Sequence, residues 1–293
     1  MTGHGTTTPM VAWRDERAIS RLIHQHNCTA AYLDVGTNIG VQIRKLFEPR
    51  SYKNALAVKI FHDVFGAERR CQVCAIGIEP NPRHEARLDE LEVKLGRAGA
   101  PVLVLRAAAA TSDSELTLFV HANATLDVSA HTGSSDTSAL TRLADENSTA
   151  SKLTVRAVDL SRIFRHVVRV LPRLPGTPPR IIAKIDIEAA EFTVLPHLLS
   201  SGALCGLRHL LLEWHMPMSG KAHADSVRAA VNASLSGRAV WGRGLERSRE
   251  QGRDAHCVLP QLSEVDDQQP DSVPWLASLN GKPSSFTLTL TLS

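Results

Sequence analysis

The chain has 293 residues, of which 43% are hydrophobic and 22% are charged. A chain of this length can bury a large core, so we expect one large domain with additions. The formal net charge is only +3, and the lysines and arginines form no basic stripe with aromatic residues, which argues against a nucleic-acid partner. No apolar run approaches the roughly 18 residues of a membrane-spanning helix, so we predict no membrane span.

Cysteine usage indicates a reduced, cytoplasmic protein. The five cysteines are odd in number and irregular in spacing, which argues against a disulfide framework. Cys71 and Cys74 have the C-x-x-C spacing, but no second pair completes a zinc site, and we predict no metal site. N-x-S/T sequons point the other way, but in a chain rich in serine and threonine with no visible signal peptide we interpret them as chance matches. Their asparagines are Asn27, Asn123, Asn147 and Asn232.

Strand-like and helix-like segments alternate along the chain. The predicted strands are Tyr32–Val35, Val73–Glu79, Val102–Leu105, Leu116–Val120, Ile181–Ile187 and His209–Trp214. The predicted helices are Val41–Phe47, Ala55–Phe65, His84–Leu95, Val194–Leu199 and Asp225–Leu235. This alternation predicts an α/β fold with a parallel sheet that is covered by helices on both faces.

Three stretches interrupt the alternation. Ser129–Ser151 is rich in small polar residues, which predicts a long surface loop of the kind that often covers a functional site. Leu171–Arg180 is rich in proline and is predicted to be a stiff linker. Phe286–Ser293 alternates with a period of two, which is typical of an exposed edge strand. We therefore divide the chain into an unstructured N-terminus at 1–18, one domain at 19–260 and a polar extension at 261–293.

The segment Asp34-Val-Gly-Thr-Asn-Ile-Gly40 joins the first predicted strand to the first helix. A strand, a glycine turn and a helix N-terminus are the means by which α/β folds bring backbone N–H groups close to a nucleotide-like ligand. Gly36 can adopt the positive φ of a sharp turn. Asn38 stands where the dinucleotide fingerprint has its middle glycine. Because the carboxylate of Asp34 suits an amino group or hydroxyls better than a bare pyrophosphate, the segment favours a ligand such as S-adenosylmethionine (SAM).

The segment Glu79-Pro-Asn-Pro82 ends the second predicted strand. In nucleoside-binding α/β folds, a carboxylate at this place accepts hydrogen bonds from both ribose hydroxyls. Glu79 lies farther beyond the glycine turn than the usual spacing of about 20 residues, so the helix at Ala55–Phe65 must be an insertion before the second strand. The alternative is that Glu79 is a solvated residue at a strand end.

Two later strands also end in charged residues, at Lys184-Ile-Asp-Ile-Glu188 and Glu213-Trp-His215. Alternation along the strand places Lys184, Asp186 and Glu188 on one face. Because such charges are costly to bury, we expect Asp186 and Glu188 at the open carboxyl end of the sheet, where ligands bind. His215 is a candidate base near neutral pH, or else a capping residue. Glu188 and Glu191 also have a structural interpretation, since carboxylates in the first turn of a helix are favoured by the helix dipole.

In their order along the chain, these motifs resemble those of the FkbM family of SAM-dependent methyltransferases, from about Tyr32 to His215. The resemblance implies a class I methyltransferase fold, which is Rossmann-like with a mostly parallel seven-stranded sheet. It also implies SAM as the methyl donor and a hydroxyl oxygen of a small molecule or glycan as the acceptor. Ala189 departs from the family pattern, which usually has glycine there. Alanine is tolerable at this position if the residue is helical rather than at positive φ.

The resemblance also implies roles for single residues. The acceptor side would be formed by Asp186, Glu188 and His215, in that order of preference as the base that takes the hydroxyl proton. The residues that would bind the cofactor are Asp34, Gly36, Thr37, Asn38, Gly40, Glu79, Pro80 and Asn81.

Two other classes of protein remain open. An NAD-dependent oxidoreductase is disfavoured by Asn38 and by the acid before the glycine turn. A methyltransferase fold that has lost its activity and acts as a binding protein would be consistent with Ala189. The presence of Asp34, Gly36 and Glu79 argues against that loss.

Overall fold

A six-stranded parallel sheet forms the centre of the protein. The structure, a computed structural model, describes residues 9–66, 70–121, 130–133, 150–172, 180–215, 220–236 and 259–264. In spatial order the strands are Gln261–Glu264 (β10), His209–Leu212 (β9), Ile181–Ile185 (β8), Ala30–Val35 (β1), Val73–Ile78 (β2) and Val102–Leu105 (β3). Every neighbouring pair is parallel. From β1 the chain adds β2 and β3 on one side and later adds β8, β9 and β10 on the other side. The strand order therefore reverses between β1 and β8, and open α/β sheets form a ligand crevice at such a switch point.

Helices cover both faces of this sheet. Within the described residues they are Pro9–Gln25 (α1), Val41–Phe47 (α2), Leu56–Phe65 (α3), Glu85–Arg97 (α4), Leu160–Val170 (α5), Glu191–Ser200 (α6) and Lys221–Leu235 (α7). Because side chains alternate along β1, Leu33 and Val35 pack in the core beneath α1, α5 and α6, whereas Ala30 and Tyr32 pack beneath α2, α3 and α4. The predicted α/β architecture is confirmed. Of the helices described, none combines the length and the apolar character that a bilayer crossing requires.

The sequence places most elements of this sheet correctly. Every predicted helix is present, and α2 has the predicted bounds. Helix α3 lies between β1 and β2, as the long gap before Glu79 requires. The resemblance implies seven strands, and the described residues form six of this sheet. The sheet continues beyond residue 260, because β10 lies in the stretch assigned to the polar extension and pairs with β9.

A second sheet lies outside the predicted architecture. Its strands are Ala108–Ala110 (β4), Ser114–His121 (β5), Ala130–Gly133 (β6) and Ala150–Asp159 (β7), in the order β4-β7-β5-β6. The predicted strand Leu116–Val120 belongs to this sheet rather than to the central one. The loop predicted at Ser129–Ser151 is wrong at both ends, where β6 and β7 lie, because cross-strand pairing overrides the polar local composition. Residues 134–149 lie outside the described residues.

Two helices correct the sequence prediction. The N-terminus predicted as unstructured at 1–18 is helical from Pro9, and Ile19 and Ile23 of α1 are fully buried in the core. No helix is predicted at α5, although Asp159 caps its N-terminus by accepting hydrogen bonds from the next amides of the helix. The segment 1–8, most of the linker at Leu171–Arg180 and the edge strand predicted at Phe286–Ser293 lie outside the described residues.

A disulfide joins Cys28 to Cys74, and both residues are fully buried. The expectation that the cysteines are unpaired is therefore wrong. Strand pairing explains the bond, because β1 and β2 lie side by side in register and Ala31 faces Cys74. Cys205 is also disulfide-bonded, whereas Cys71 is an exposed free thiol. Disulfides persist in oxidising compartments, so these bonds argue against the predicted reduced, cytoplasmic environment.

Candidate active site

The turn after β1 is fastened to the end of β2. The N–H groups of Gly36 and Thr37 donate to the carbonyl oxygen of Ile78, at 3.0 and 3.1 Å. The hydroxyl of Thr37 donates to the carbonyl oxygen of Asp34 at 2.7 Å and accepts from the N–H of Ile78 at 2.9 Å. A Cβ on Gly77 would lie 2.6 Å from the Thr37 hydroxyl, so the bridge between the two strands requires glycine there.

The same turn also contacts the end of β8. Gly36 has a φ of +82°, and a Cβ on it would lie 1.7 Å from the carbonyl oxygen of Asp186. The N–H of Asp186 donates to the carbonyl oxygen of Val35 at 3.0 Å. Gly40 has a φ of +83°, and a Cβ on it would lie 2.2 Å from Cδ2 of Leu91 in α4. Each glycine permits a close approach between two elements of the protein itself.

Glu79 lies at the tip of β2, with only 6% of its surface exposed. Its Oε2 accepts a hydrogen bond from the N–H of Asn38 at 2.7 Å, and its Oε1 accepts one from the N–H of Asn81 at 2.9 Å. Nδ1 of His84 lies 3.4 Å from Oε1. Pro80 is half-buried beside it and Asn81 is buried. The alternative of a freely solvated carboxylate at the strand end is therefore wrong.

Asp34 is fully buried beneath the turn. Its Oδ1 accepts a hydrogen bond from the hydroxyl of Tyr32 at 3.1 Å. Its Oδ2 is buried and has no hydrogen-bond partner among the residues that the structure describes. Burial raises the pKa of Asp34 to about 7, although the positive charge of Lys184 opposes this shift.

Lys184 lies behind both halves of the site and is 2% exposed. Its Nζ lies 2.5 Å from Oδ2 of Asp186 and 3.7 Å from Oε2 of Glu213. Burial alone would lower the pKa of Lys184, but the charges of Asp186, Asp34 and Glu213 outweigh it and raise that pKa. The buried lysine therefore carries a positive charge that stabilises ionised carboxylates on both sides of it.

Four carboxylates surround the imidazole of His215. Nδ1 lies 3.3 Å from Oε1 of Glu191 and 3.6 Å from Oδ1 of Asp186. Nε2 lies 3.8 Å from Oε1 of Glu213 and 3.9 Å from Oε1 of Glu188. These residues follow β8 and β9, which are neighbours in the sheet. We call Asp186, Glu188, Glu191, Glu213 and His215 the carboxylate cluster.

The pKa values of the cluster shift because it is partly buried and rich in charge. Burial is the main reason that the pKa of Glu188 rises to about 7; the attraction of His215 opposes this rise and the charge of Asp186 adds to it. Burial alone would lower the pKa of His215, but its hydrogen bond with Glu191 and the charge of Glu188 raise that pKa to about 9. Both shifts favour the protonated form, through burial in Glu188 and through the neighbouring carboxylates in His215.

A family model described as the methyltransferase FkbM domain matches residues 34–233. The chain belongs to the FkbM methyltransferase family. Searches of curated proteins and of solved structures returned no match. The FkbM match begins at Asp34 and extends past His215, so it spans every residue predicted to bind cofactor or acceptor. The family resemblance and the Rossmann-like fold predicted from the sequence are confirmed, and membership favours a methyltransferase over an NAD-dependent oxidoreductase.

The turn that leads into α6 has a left-handed backbone at two residues that are not glycine. Glu188 and Ala189 have φ values of +53° and +73°. The condition under which alanine is tolerable, a helical backbone, is therefore not met, and such a φ costs a non-glycine residue about 1–2 kcal/mol. The N–H of Ile187 donates to Oε1 of Glu191 at 2.7 Å, which holds the turn in place.

The FkbM fold brings the two predicted groups of residues to one edge of the sheet. The motifs predicted to bind the cofactor follow β1 and β2, those predicted to bind the acceptor follow β8 and β9, and the contact of Gly36 with Asp186 joins them. Sequence reasoning did not include Lys184, Glu191 and Glu213 among the site residues. Their positions were the available signal, because Lys184 and Glu213 lie in the same short motifs as Asp186 and His215, and Glu191 follows three residues after Glu188.

Proposed function

We propose that this FkbM methyltransferase transfers the methyl group of SAM to a hydroxyl oxygen of a small molecule or glycan. One observation carries the cofactor part of the proposal: the Glu79 carboxylate is fixed at the tip of β2 by the amides of Asn38 and Asn81. A carboxylate at this position suits the two hydroxyls of a ribose. The glycine turn beside it presents a helix N-terminus at the same edge of the sheet.

The buried Asp34 also fits SAM. Its Oδ2 is without a hydrogen-bond partner among the described residues, and a buried carboxylate oxygen favours a donor group. The amino group of the methionine portion of SAM is such a donor. In this proposal Gly36, Thr37 and Gly40 hold the backbone of the turn against the cofactor, and Pro80 lies beside the adenosine.

The carboxylate cluster suits the acceptor side. The hydroxyl oxygen attacks the methyl carbon, a C–O bond forms, and the C–S bond breaks with its electron pair passing to sulfur, which leaves S-adenosylhomocysteine. The hydroxyl proton passes to a carboxylate of the cluster, for which Asp186 is the first choice. Because the sulfonium already activates the methyl group, the protein mainly positions the two reactants, and a base adds about 10²–10⁴-fold.

Calorimetric titration of the purified protein with SAM, S-adenosylhomocysteine and NAD tests the cofactor. We expect the two adenosyl ligands to bind and NAD not to bind. Glu79→Ala should weaken adenosyl binding about 10- to 100-fold, since a hydrogen bond to a charged group contributes about 1.5–3 kcal/mol. Glu90→Ala, an exposed site on α4, is the matched control.

Turnover tests the acceptor side. Asp186→Asn should abolish methyl transfer to an accepted hydroxyl compound and leave SAM affinity within about twofold of the wild type. Unchanged turnover in this variant would exclude Asp186 as the base. A wild-type protein that binds SAM but transfers no methyl group to any hydroxyl acceptor in a broad screen would favour the inactive binding protein instead.

A further inference from the structure

Three side chains of the carboxylate cluster have the arrangement of ligands around one metal ion. Asp186, Glu188 and His215 each offer one ligand atom, and these atoms lie within 4.8 Å of one another. Oxygen and nitrogen ligands lie about 2.0–2.6 Å from a divalent cation, so two ligands of one ion are at most about 5 Å apart. The three groups can therefore reach a common ion without a change of fold.

The charge of the cluster also favours a cation. Asp186, Glu188, Glu191 and Glu213 surround one imidazole within 3.9 Å. Lys184 adds a positive charge, but it lies behind the cluster against Oδ2 of Asp186 and Oε2 of Glu213. The opposite oxygens of these two carboxylates, Oδ1 and Oε1, face His215. Carboxylates thus outnumber positive groups even when His215 is protonated.

Glu191, a member of the same cluster, has a buried oxygen without a described hydrogen-bond partner. Glu191 is fully buried, and its Oε1 lies 3.3 Å from Nδ1 of His215. Its Oε2 is buried and has no hydrogen-bond partner among the described residues. A buried carboxylate is stable when positive charge or hydrogen bonds compensate it. A cation held beside His215 would supply this compensation.

We propose that Asp186, Glu188 and His215 form a binding site for a divalent transition-metal ion such as Mn²⁺. The two carboxylates suit Mn²⁺, and the imidazole favours a first-row transition metal over Mg²⁺. Three protein ligands leave coordination positions for water and for an oxygen of the acceptor. This proposal departs from the sequence prediction of no metal site.

The cation would give the cluster a role in the proposed methyl transfer, on which this part of the inference rests. Bound beside the acceptor, it would hold the hydroxyl oxygen and stabilise the negative charge that develops there as the proton passes to a carboxylate. It would also select acceptors in which a second oxygen lies next to the reacting hydroxyl, because two oxygens can occupy adjacent positions on one ion. Vicinal diols, as in sugars and catechols, have this geometry.

Mn²⁺ binding to the full chain, freed of metal by a chelator, tests the site by electron paramagnetic resonance and calorimetry. We expect the wild type to bind one Mn²⁺ and Glu188→Gln to bind it at least about 10-fold more weakly. His215→Ala should show a similar loss, whereas Glu90→Gln should bind like the wild type. Thermal unfolding of each variant verifies that it is folded.

The outcomes separate this inference from the proposed function. Absence of Mn²⁺ binding in a wild type that binds SAM overturns the metal site and leaves the methyltransferase proposal standing. Binding that Glu188→Gln and His215→Ala leave unchanged also overturns it, since the ion then lies elsewhere. Mn²⁺ binding that both variants weaken, in a protein that does not bind SAM, supports the site and refutes the cofactor assignment.

Discussion

The backbone N–H of Asn38 donates a hydrogen bond to Oε2 of Glu79 over 2.7 Å and thereby joins the turn after β1 to the end of β2. The two residues are 41 positions apart in the chain. This contact brings two sequence motifs together in one surface, and each motif is too short to identify a binding site by itself. A third motif reaches the same surface through the contact of Gly36 with Asp186.

Gly36→Ala should destabilise the protein more than a positive φ alone explains. The left-handed backbone costs alanine about 1–2 kcal/mol, and the new Cβ would also overlap the Asp186 carbonyl, for which overpacking adds about 1–3 kcal/mol. Gly220→Ala is the matched control, because Gly220 has a left-handed backbone with a φ of +74° and nothing within 4 Å of its Cβ position. Urea unfolding measures both variants, and equal losses would show that the contact with Asp186 is not tight.

Ala189→Gly should stabilise the protein. Glycine relieves about 1–2 kcal/mol of backbone strain at this φ of +73° and loses about 0.4–1 kcal/mol through the greater freedom of the unfolded chain. The net gain of about 1 kcal/mol should raise Tm by a few degrees. Ala229→Gly, at an exposed position inside α7, should instead lower Tm, because glycine in a helix interior is about 0.5–1 kcal/mol less favourable than alanine. A lower Tm for Ala189→Gly would contradict the strained turn.

Asp34→Asn should change how stability depends on pH. The pKa of Asp34 is about 7 in the folded protein and near its ordinary value of 3.8 in the unfolded chain. Between these values the folded state keeps a proton that the unfolded state has lost, so the contribution of Asp34 to stability falls as pH rises from about 4 to 7 and changes no further above that. Asparagine removes this fall.

Urea unfolding between pH 4 and 8 measures this effect. The free energy of unfolding of Asp34→Asn, relative to the wild type, should increase with pH up to about 7. Tyr32→Phe should extend the fall in stability to higher pH without changing its start near pH 4, because the Tyr32 hydroxyl stabilises the charged carboxylate of the folded state. Parallel curves for the wild type and Asp34→Asn would show that the pKa of Asp34 is not raised.

Lys184→Met should cost about 3–5 kcal/mol in the free energy of unfolding. Methionine preserves the length of the side chain but leaves Asp186 and Glu213 without their buried cation, and removal of one partner from a buried pair costs this much. Lys94→Met is the control, since Lys94 is 60% exposed in its pair with Glu48 and should contribute less than about 1 kcal/mol. Similar losses for the two variants would contradict a charged Lys184.

Local patterns determined the elements and the edge of the sheet at which the site lies. Helix α2 has its predicted bounds, and strand β3 does too, because apolar spacing and glycine turns act within a few residues. The polar residues that end β1, β2, β8 and β9 were recognisable as candidate site residues for the same reason, because a charge at the end of an apolar strand is least costly at the open edge of the sheet. The family resemblance added the cofactor and the reaction.

Only the tertiary structure decided which distant residues meet. The bond between Cys28 and Cys74 spans 46 positions, and the contact of His215 with Glu191 spans 24. Strand order sets these contacts, and the period of a strand or helix carries no information about which strand lies beside it. Most of the second sheet escaped prediction, because cross-strand pairing stabilises strands such as Ala130–Gly133 whose local composition is polar. The positive φ of Ala189 could not be predicted from the sequence either. Ala189 lies in the turn between β8 and α6, and these two elements, rather than the residue itself, determine the course of that turn.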